Sequence, residues 1–169
     1  AMELVKGIPI TDYCDQNKLT IQERLDLFIQ VCQAIQHAHQ KGIIHRDLKP
    51  SNVMVTSQDG EPLPKIIDFG IAKVSQTEGE NHLTRTGTIF GTPFYMAPEQ
   101  ALGQAVDHRV DVYAMGVIMY EVFCGAVPFG GESFMGILTQ HITSEPPPPA
   151  VTAGQHGRAL PPGIEDIIL

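Results

Sequence analysis

Two stretches of the chain repeat apolar residues with a helical period. Between Thr20 and Lys41, Ile21, Leu25, Phe28, Cys32 and Ile35 recur at three- and four-residue steps, and Leu27, Val31, Ala34 and Ala38 widen the stripe. Thr20 with Glu23 forms a capping box and Gly42 supplies the stop, so a helix is predicted there, with a stripe broad enough for a central position. From Val106 to Gly125, residues Val110, Val112, Met115, Val117, Ile118, Met119, Val122 and Phe123 leave little polar surface. Asp111 is the exception, and a carboxylate inside such a helix needs hydrogen-bond partners. Gly125, Pro128 and Phe129 end this second helix. A short amphipathic helix over Ser133 to Ile142, a rigid extended link over Pro146 to Pro149 and a late helix reaching Ile167, Ile168 and Leu169 follow.

The period changes to that of strands at Val53-Met54-Val55 and Lys65-Ile66-Ile67, which read as two short strands with Asp59-Gly60 as the turn between them. Lys73 to Phe90 has neither period and reads as a loop. Met2-Glu3-Leu4-Val5, ahead of Gly7, is a short extended run. The predicted fold is therefore mainly α, α+β overall: a helical bundle with one small β-hairpin.

Composition narrows the function. A length of 169 residues suits one domain by the prior of about 150 residues. The net charge of −8 disfavours nucleic acid and anionic membranes as partners and mildly favours basic protein segments. Cys14, Cys32 and Cys124 are widely spaced in apolar surroundings and read as buried thiols of a reducing compartment. With no leader-like start and no apolar run of about 18 residues, a cytoplasmic location is expected, with any membrane anchor lying outside this segment. His37 and His39, two residues apart on a helix, face different ways and make no metal pair.

The chemistry concentrates between His45 and Gly70. Asp47, Lys49, Asn52 and Asp68 sit on two loops joined by the apolar hairpin. Transfer of a γ-phosphoryl group needs a carboxylate to orient the attacking hydroxyl, oxygen ligands for Mg²⁺ and positive charge near the transferring oxygens. Each need has a residue here.

His45-Arg46-Asp47-Leu48-Lys49-Pro50-Ser51-Asn52, then Asp68-Phe69-Gly70, then Ala97-Pro98-Glu99, resembles the catalytic loop, metal-binding triplet and activation-segment end of a eukaryotic-like protein kinase. Lys49, and Gly91-Thr92 ahead of Tyr95 and Pro98, are similar to the serine/threonine branch, and the surrounding wording resembles bacterial members. The resemblance implies ATP and Mg²⁺ as cofactors and protein substrates as partners, with kinase dimerisation through parts outside this chain. It also implies a layout within residues 1–169: an interlobe linker at about 1–7, the catalytic loop at 45–52, the activation segment at 68–99 and late helices over 106–169. The glycine-rich loop, strand lysine and helix glutamate of the family's small lobe are not among these residues, so the chain reads as the C-terminal lobe, with little turnover expected from it alone.

By the same resemblance, Asp47 orients the substrate hydroxyl, Lys49 offsets phosphoryl charge, and Asn52 and Asp68 ligate Mg²⁺. The Glu3 carbonyl and Val5 amide face adenine, and Met54 floors that pocket. His45 packs behind the site, and Arg46 awaits a phosphate on Thr84 or Thr86, which rank above Thr88. Thr92 reaches toward Asp47 and Lys49. Glu99 pairs with an arginine late in the lobe, for which Arg158 comes too early, and Asp111 accepts hydrogen bonds from the backbone around His45 and Arg46. A kinase-like docking module without catalysis is the alternative from another class; the joint presence of Asp47, Asn52 and Asp68 weighs against it. A small-molecule kinase is weakened by the Gly91 to Glu99 stretch, which suits a peptide.

Overall fold

The computed structural model describes residues 7–69 and 92–168; Met2, Glu3, Val5, Gly70, Thr84, Thr86, Thr88 and Gly91 lie outside the described residues. The elements run β1 (Ile8–Pro9), α1 (Ile10–Gln16), α2 (Ile21–Gln40), β2 (Val53–Gln58), β3 (Glu61–Ile66), α3 (Pro98–Ala101), α4 (Arg109–Cys124), α5 (Phe134–Thr143), α6 (Pro149–Gln155) and α7 (Glu165–Ile168). Single 3-10 turns occupy Pro50–Asn52 and Pro93–Tyr95.

Helix α2 has the expected cap: the Glu23 amide donates to Thr20 Oγ1 at 3.3 Å, and the Thr20 amide donates to Glu23 Oε2 at 2.7 Å. Its buried side carries Leu27, Phe28, Val31, Ile35 and Ala38. The central position predicted for it belongs instead to α4. Ile29 and Ala34 of α2 face solvent, whereas α4 is packed by α1, α2, α6, α7 and the Pro93–Tyr95 turn. Helix α4 starts at Arg109 rather than Val106, and Val112 on it is exposed.

The sheet has three antiparallel strands in the order β1-β2-β3, one more than predicted. Strand β1 is only two residues, Ile8 opposite Val55 and Pro9 opposite Met54, too short to carry a period. Gly7 precedes it because a Cβ there would sit 2.7 Å from the Val55 carbonyl oxygen. Strands β2 and β3 pair from Val53 opposite Ile66 to Gln58 opposite Glu61, further than the sequence indicated. Pro62 and Pro64 obscured β3, yet it lies at the sheet edge, where a missing N–H costs little. Asp59 and Gly60 have φ of 54° and 89°, the two left-handed positions of a two-residue hairpin turn.

The core gathers Ile10, Cys14, Leu27, Val31, Val53, Val55, Ile118, Tyr120 and Phe123. Cys14 and Cys124 are buried as expected, but Cys32 is only half-buried. Burial pushes all three thiols up, Cys14 and Cys124 to about 11, so none is a reactive thiolate near neutral pH. The extended link ends one residue early, since Pro149 is already the first residue of α6. Among the described residues, no helix is long and apolar enough to cross a membrane.

Candidate functional site

The loop from His45 to Asn52 is fastened to the fold at both ends. Asp111, buried in the first turn of α4, accepts from the His45 amide through Oδ2 and from the Arg46 amide through Oδ1, each at 2.8 Å. His39, on the last turn of α2, donates from Nε2 to the same Oδ2 at 2.8 Å. One carboxylate thus serves three donors, as a buried carboxylate requires. The two-residue step from His37 marks no metal pair and gives His39 no role in the sequence. The signal was its four-residue step from buried Ile35, which turns it inward.

His45 is fully buried and its ring bridges two loops. Its Nε2 lies 2.8 Å from the Ile67 carbonyl, which can only accept, and its Nδ1 lies 3.3 Å from the Asp47 amide, which can only donate. These partners select the neutral ring protonated at Nε2. The Phe69 ring packs 4.9 Å from it, so His45 joins the loop before Asn52 to the loop after Ile67. At the far end, buried Asn52 donates from Nδ2 to the Asp47 carbonyl at 2.8 Å and accepts from the Ile67 amide through its own carbonyl at 2.9 Å. The amide nitrogen is committed, which leaves Oδ1 as the atom Asn52 can offer a ligand.

Between these anchors, Asp47 and Lys49 pair across 3.3 Å, both partly exposed. They line a cleft with Arg46, Leu48, Thr92, Tyr95, Met96 and Gln100. Thr92 therefore shares the cleft with Asp47, Lys49 and Gln100. That glutamine, which the sequence did not flag, accepts from the Ala97 amide at 3.2 Å and donates to the Arg46 carbonyl at 2.9 Å. Arg46 has φ of 66°, a left-handed backbone that costs about 1 kcal/mol for a residue with a Cβ. Its amide and carbonyl are both held, which is what keeps it there. Asp68 shares this conformation, φ 56°, with its side chain exposed at the end of the hairpin. Met54 is half-buried on β2, opposite Pro9 and Lys65.

The stretch from Thr92 to Glu99 is pinned from below. Tyr95 donates its hydroxyl to Glu121 of α4 at 2.7 Å. Burial pushes the Tyr95 hydroxyl well up, and the Glu121 carboxylate beside it adds to that; burial also raises Glu121, while the bond from Tyr95 opposes the rise. Glu99 is half-buried at the start of α3 and, among the described residues, has no ion pair within 4 Å. Its charge, after burial, helps push Tyr113 up to about 12. Arg158 pairs with Asp15 at 2.8 Å.

Comparison with known proteins identifies the family. The protein kinase domain family matches residues 1–153, and the chain belongs to that family. Serine/threonine-protein kinase pkn3 of Myxococcus xanthus is 48% identical over 142 residues, covering 83% of this chain and 26% of the relative. Serine/threonine-protein kinase Pkn1 of the same organism is 43% identical over 150 residues, 88% of this chain and 21% of the relative. Serine/threonine-protein kinase PknB of Mycobacterium tuberculosis is 39% identical over 150 residues, 88% of this chain and 23% of the relative. The relatives are bacterial serine/threonine kinases, and the chain spans about a quarter of their length.

Proposed function

We propose that the chain is the C-terminal lobe of a serine/threonine protein kinase that moves the γ-phosphoryl group of ATP to serine and threonine hydroxyls of proteins. The observation that supports this best is the Asp47–Lys49 pair, 3.3 Å apart on a loop whose backbone is fixed by Asn52 and Asp111. Asp47 orients the substrate hydroxyl and takes its proton, and Lys49 swings from Asp47 toward the phosphoryl oxygens. Thr92, across the cleft, borders the peptide. Asn52 through Oδ1 and Asp68 through its exposed carboxylate would hold Mg²⁺. Two hard oxygen donors suit that ion, which keeps waters and phosphate oxygens as its other ligands; the described residues contain no denser cluster of three or more acidic, histidine or cysteine side chains. When bound, Mg²⁺ offsets the charge of the phosphates.

In this reading Glu3, Val5 and Met54 contact adenine, Arg46 receives a phosphate carried by Thr84 or Thr86, and Glu99 supports the end of the segment. The small-lobe motifs that cover the phosphates are not among these 169 residues, so little transfer is expected from these residues alone. The direct experiment uses the natural polypeptide that contains these residues, with ATP, Mg²⁺ and a serine- or threonine-containing protein. Asp47→Asn should lower kcat by roughly a hundredfold to ten-thousandfold with little change in melting temperature. Unchanged transfer in that variant would remove Asp47 from the chemistry.

A further inference from the structure

Among the described residues, one buried side-chain polar atom is left without a hydrogen bond: Nε2 of His141 on α5. A buried donor or acceptor in that state costs about 1–3 kcal/mol, so its place calls for a reason. His141 is 4% exposed. Its Nδ1 lies 2.6 Å from the Tyr113 hydroxyl of α4. The ring is also held edge-on by Phe129 at 4.9 Å and Tyr113 at 5.6 Å, so it has little room to turn.

The tautomer follows from chemistry. A phenol hydroxyl is the better donor and a neutral imidazole nitrogen the better acceptor, so Tyr113 donates to Nδ1 and the ring proton sits on Nε2. Helix α5 packs against the Pro93–Tyr95 turn, whose backbone at Pro93 and Phe94 lies beside the His141 ring, and this N–H makes no hydrogen bond there. Proline has no N–H, so what Pro93 presents is its carbonyl. Among the described residues that carbonyl is weakly engaged, accepting one long 3.3 Å bond from the Met96 amide. Burial lowers the His141 pKa below its usual value, which keeps the ring neutral and the donor on Nε2.

We infer that His141 is a positioning residue for the peptide substrate: its Nε2–H latches the Pro93–Phe94 carbonyls when a peptide settles on the Thr92–Tyr95 stretch. The inference rests on the kinase reading for the identity of the ligand and on His141, Tyr113 and Pro93 for the latch. Catalytic hydrogen bonds are often long or misaligned in the free enzyme and tighten in the substrate complex, and the latch extends that behaviour to a bond within the protein that supports the substrate. Helix α5 would then sense occupancy of the cleft through one bond, while Tyr95, held by Glu121, fixes the other end of the same turn.

The test has two arms in the natural polypeptide that contains this chain. In the first, ¹⁵N-labelled histidine is observed by NMR near neutral pH; protonation of His141 at Nε2 is expected, and protonation at Nδ1 overturns the latch. The second compares H141Q, whose amide can still donate toward Pro93, with H141N, which reaches only Tyr113, and with H141F, which keeps the ring volume. H141N and H141F should raise the KM for a peptide roughly three- to tenfold, the worth of one hydrogen bond, with kcat and the KM for ATP unchanged and H141Q close to the parent. Equal effects in all three, or a fall in kcat at constant peptide KM, overturn the proposal. Amide exchange at Phe94 to Met96, measured with the peptide bound and ATP absent and faster in H141F than in H141Q, reads the latch without any transfer. Absence of phosphoryl transfer in the parent protein would therefore defeat the kinase reading, while the exchange difference, present or absent, still decides the latch.

Discussion

At the scale of the residue, the most economical part of the site is Asp111, whose two oxygens hold three donors from two different segments. Its importance was readable from sequence because a carboxylate in the first turn of so apolar a helix must be paired; the third donor, His39, was not, because a histidine carries no such compulsion. The two differ in consequence. Asp111→Asn puts an NH₂ group against donors that need an acceptor, and should destabilise the protein by about 2–4 kcal/mol. His39→Phe leaves Oδ2 bonded to the His45 amide and should cost about 1 kcal/mol. Denaturant midpoints at constant slope would measure both, and equal costs for the two variants would contradict the shared-acceptor account.

At the scale of the element, legibility followed the strength of local signals. Helix α2 was visible because its cap chemistry and its period agree. Strand β3 was foreshortened because Pro62 and Pro64 speak against a strand, and only its edge position makes them harmless. Strand β1 and helix α1 were missed: two residues hold no period, and α1 lacks a side-chain cap. Helix ends give a sharper comparison. Gly42 after α2 and Gly125 after α4 both have left-handed φ, 72° and 89°, but a Cβ at Gly42 meets open space whereas one at Gly125 lies 3.0 Å from Arg158 Nε and 3.2 Å from His156 Cβ. Gly42→Ala should therefore cost about 1 kcal/mol for its backbone alone, and Gly125→Ala distinctly more. Thermal melts of the two variants decide it, and a smaller shift for Gly125→Ala would show that Arg158 yields freely.

At the scale of the whole molecule, the helices are tied together by a guanidinium that composition disguises as a surface charge. Arg24, with Glu23 and Asp26 as neighbours on α2, is only 8% exposed. Its Nη1 donates to the Val122 carbonyl at 2.6 Å, its Nε to the Leu19 carbonyl at 3.0 Å, and its Nη2 to the Cys14 carbonyl at 3.1 Å and to Asp15 at 2.9 Å. Arg158, beyond α6, reaches the same Val122 carbonyl at 2.8 Å and the same Asp15 carboxylate. Helices α1, α2 and α4 and the turn after α6 thus meet on two arginines, placed at the negative end of the α4 dipole. Arg24→Ala should cost about 2–4 kcal/mol, since it strips buried carbonyls of their donors, and Arg24→Lys should rescue little because an ammonium cannot fill a forked site. Arg158→Ala should cost about 1 kcal/mol, its ion pair being made to an exposed carboxylate. The two are backups for each other at Val122 and Asp15, so the double variant should lose more than the two single losses added, by about 1 kcal/mol. Strict additivity in that cycle would mean that the two arginines act separately and that neither backs up the other at Val122 and Asp15.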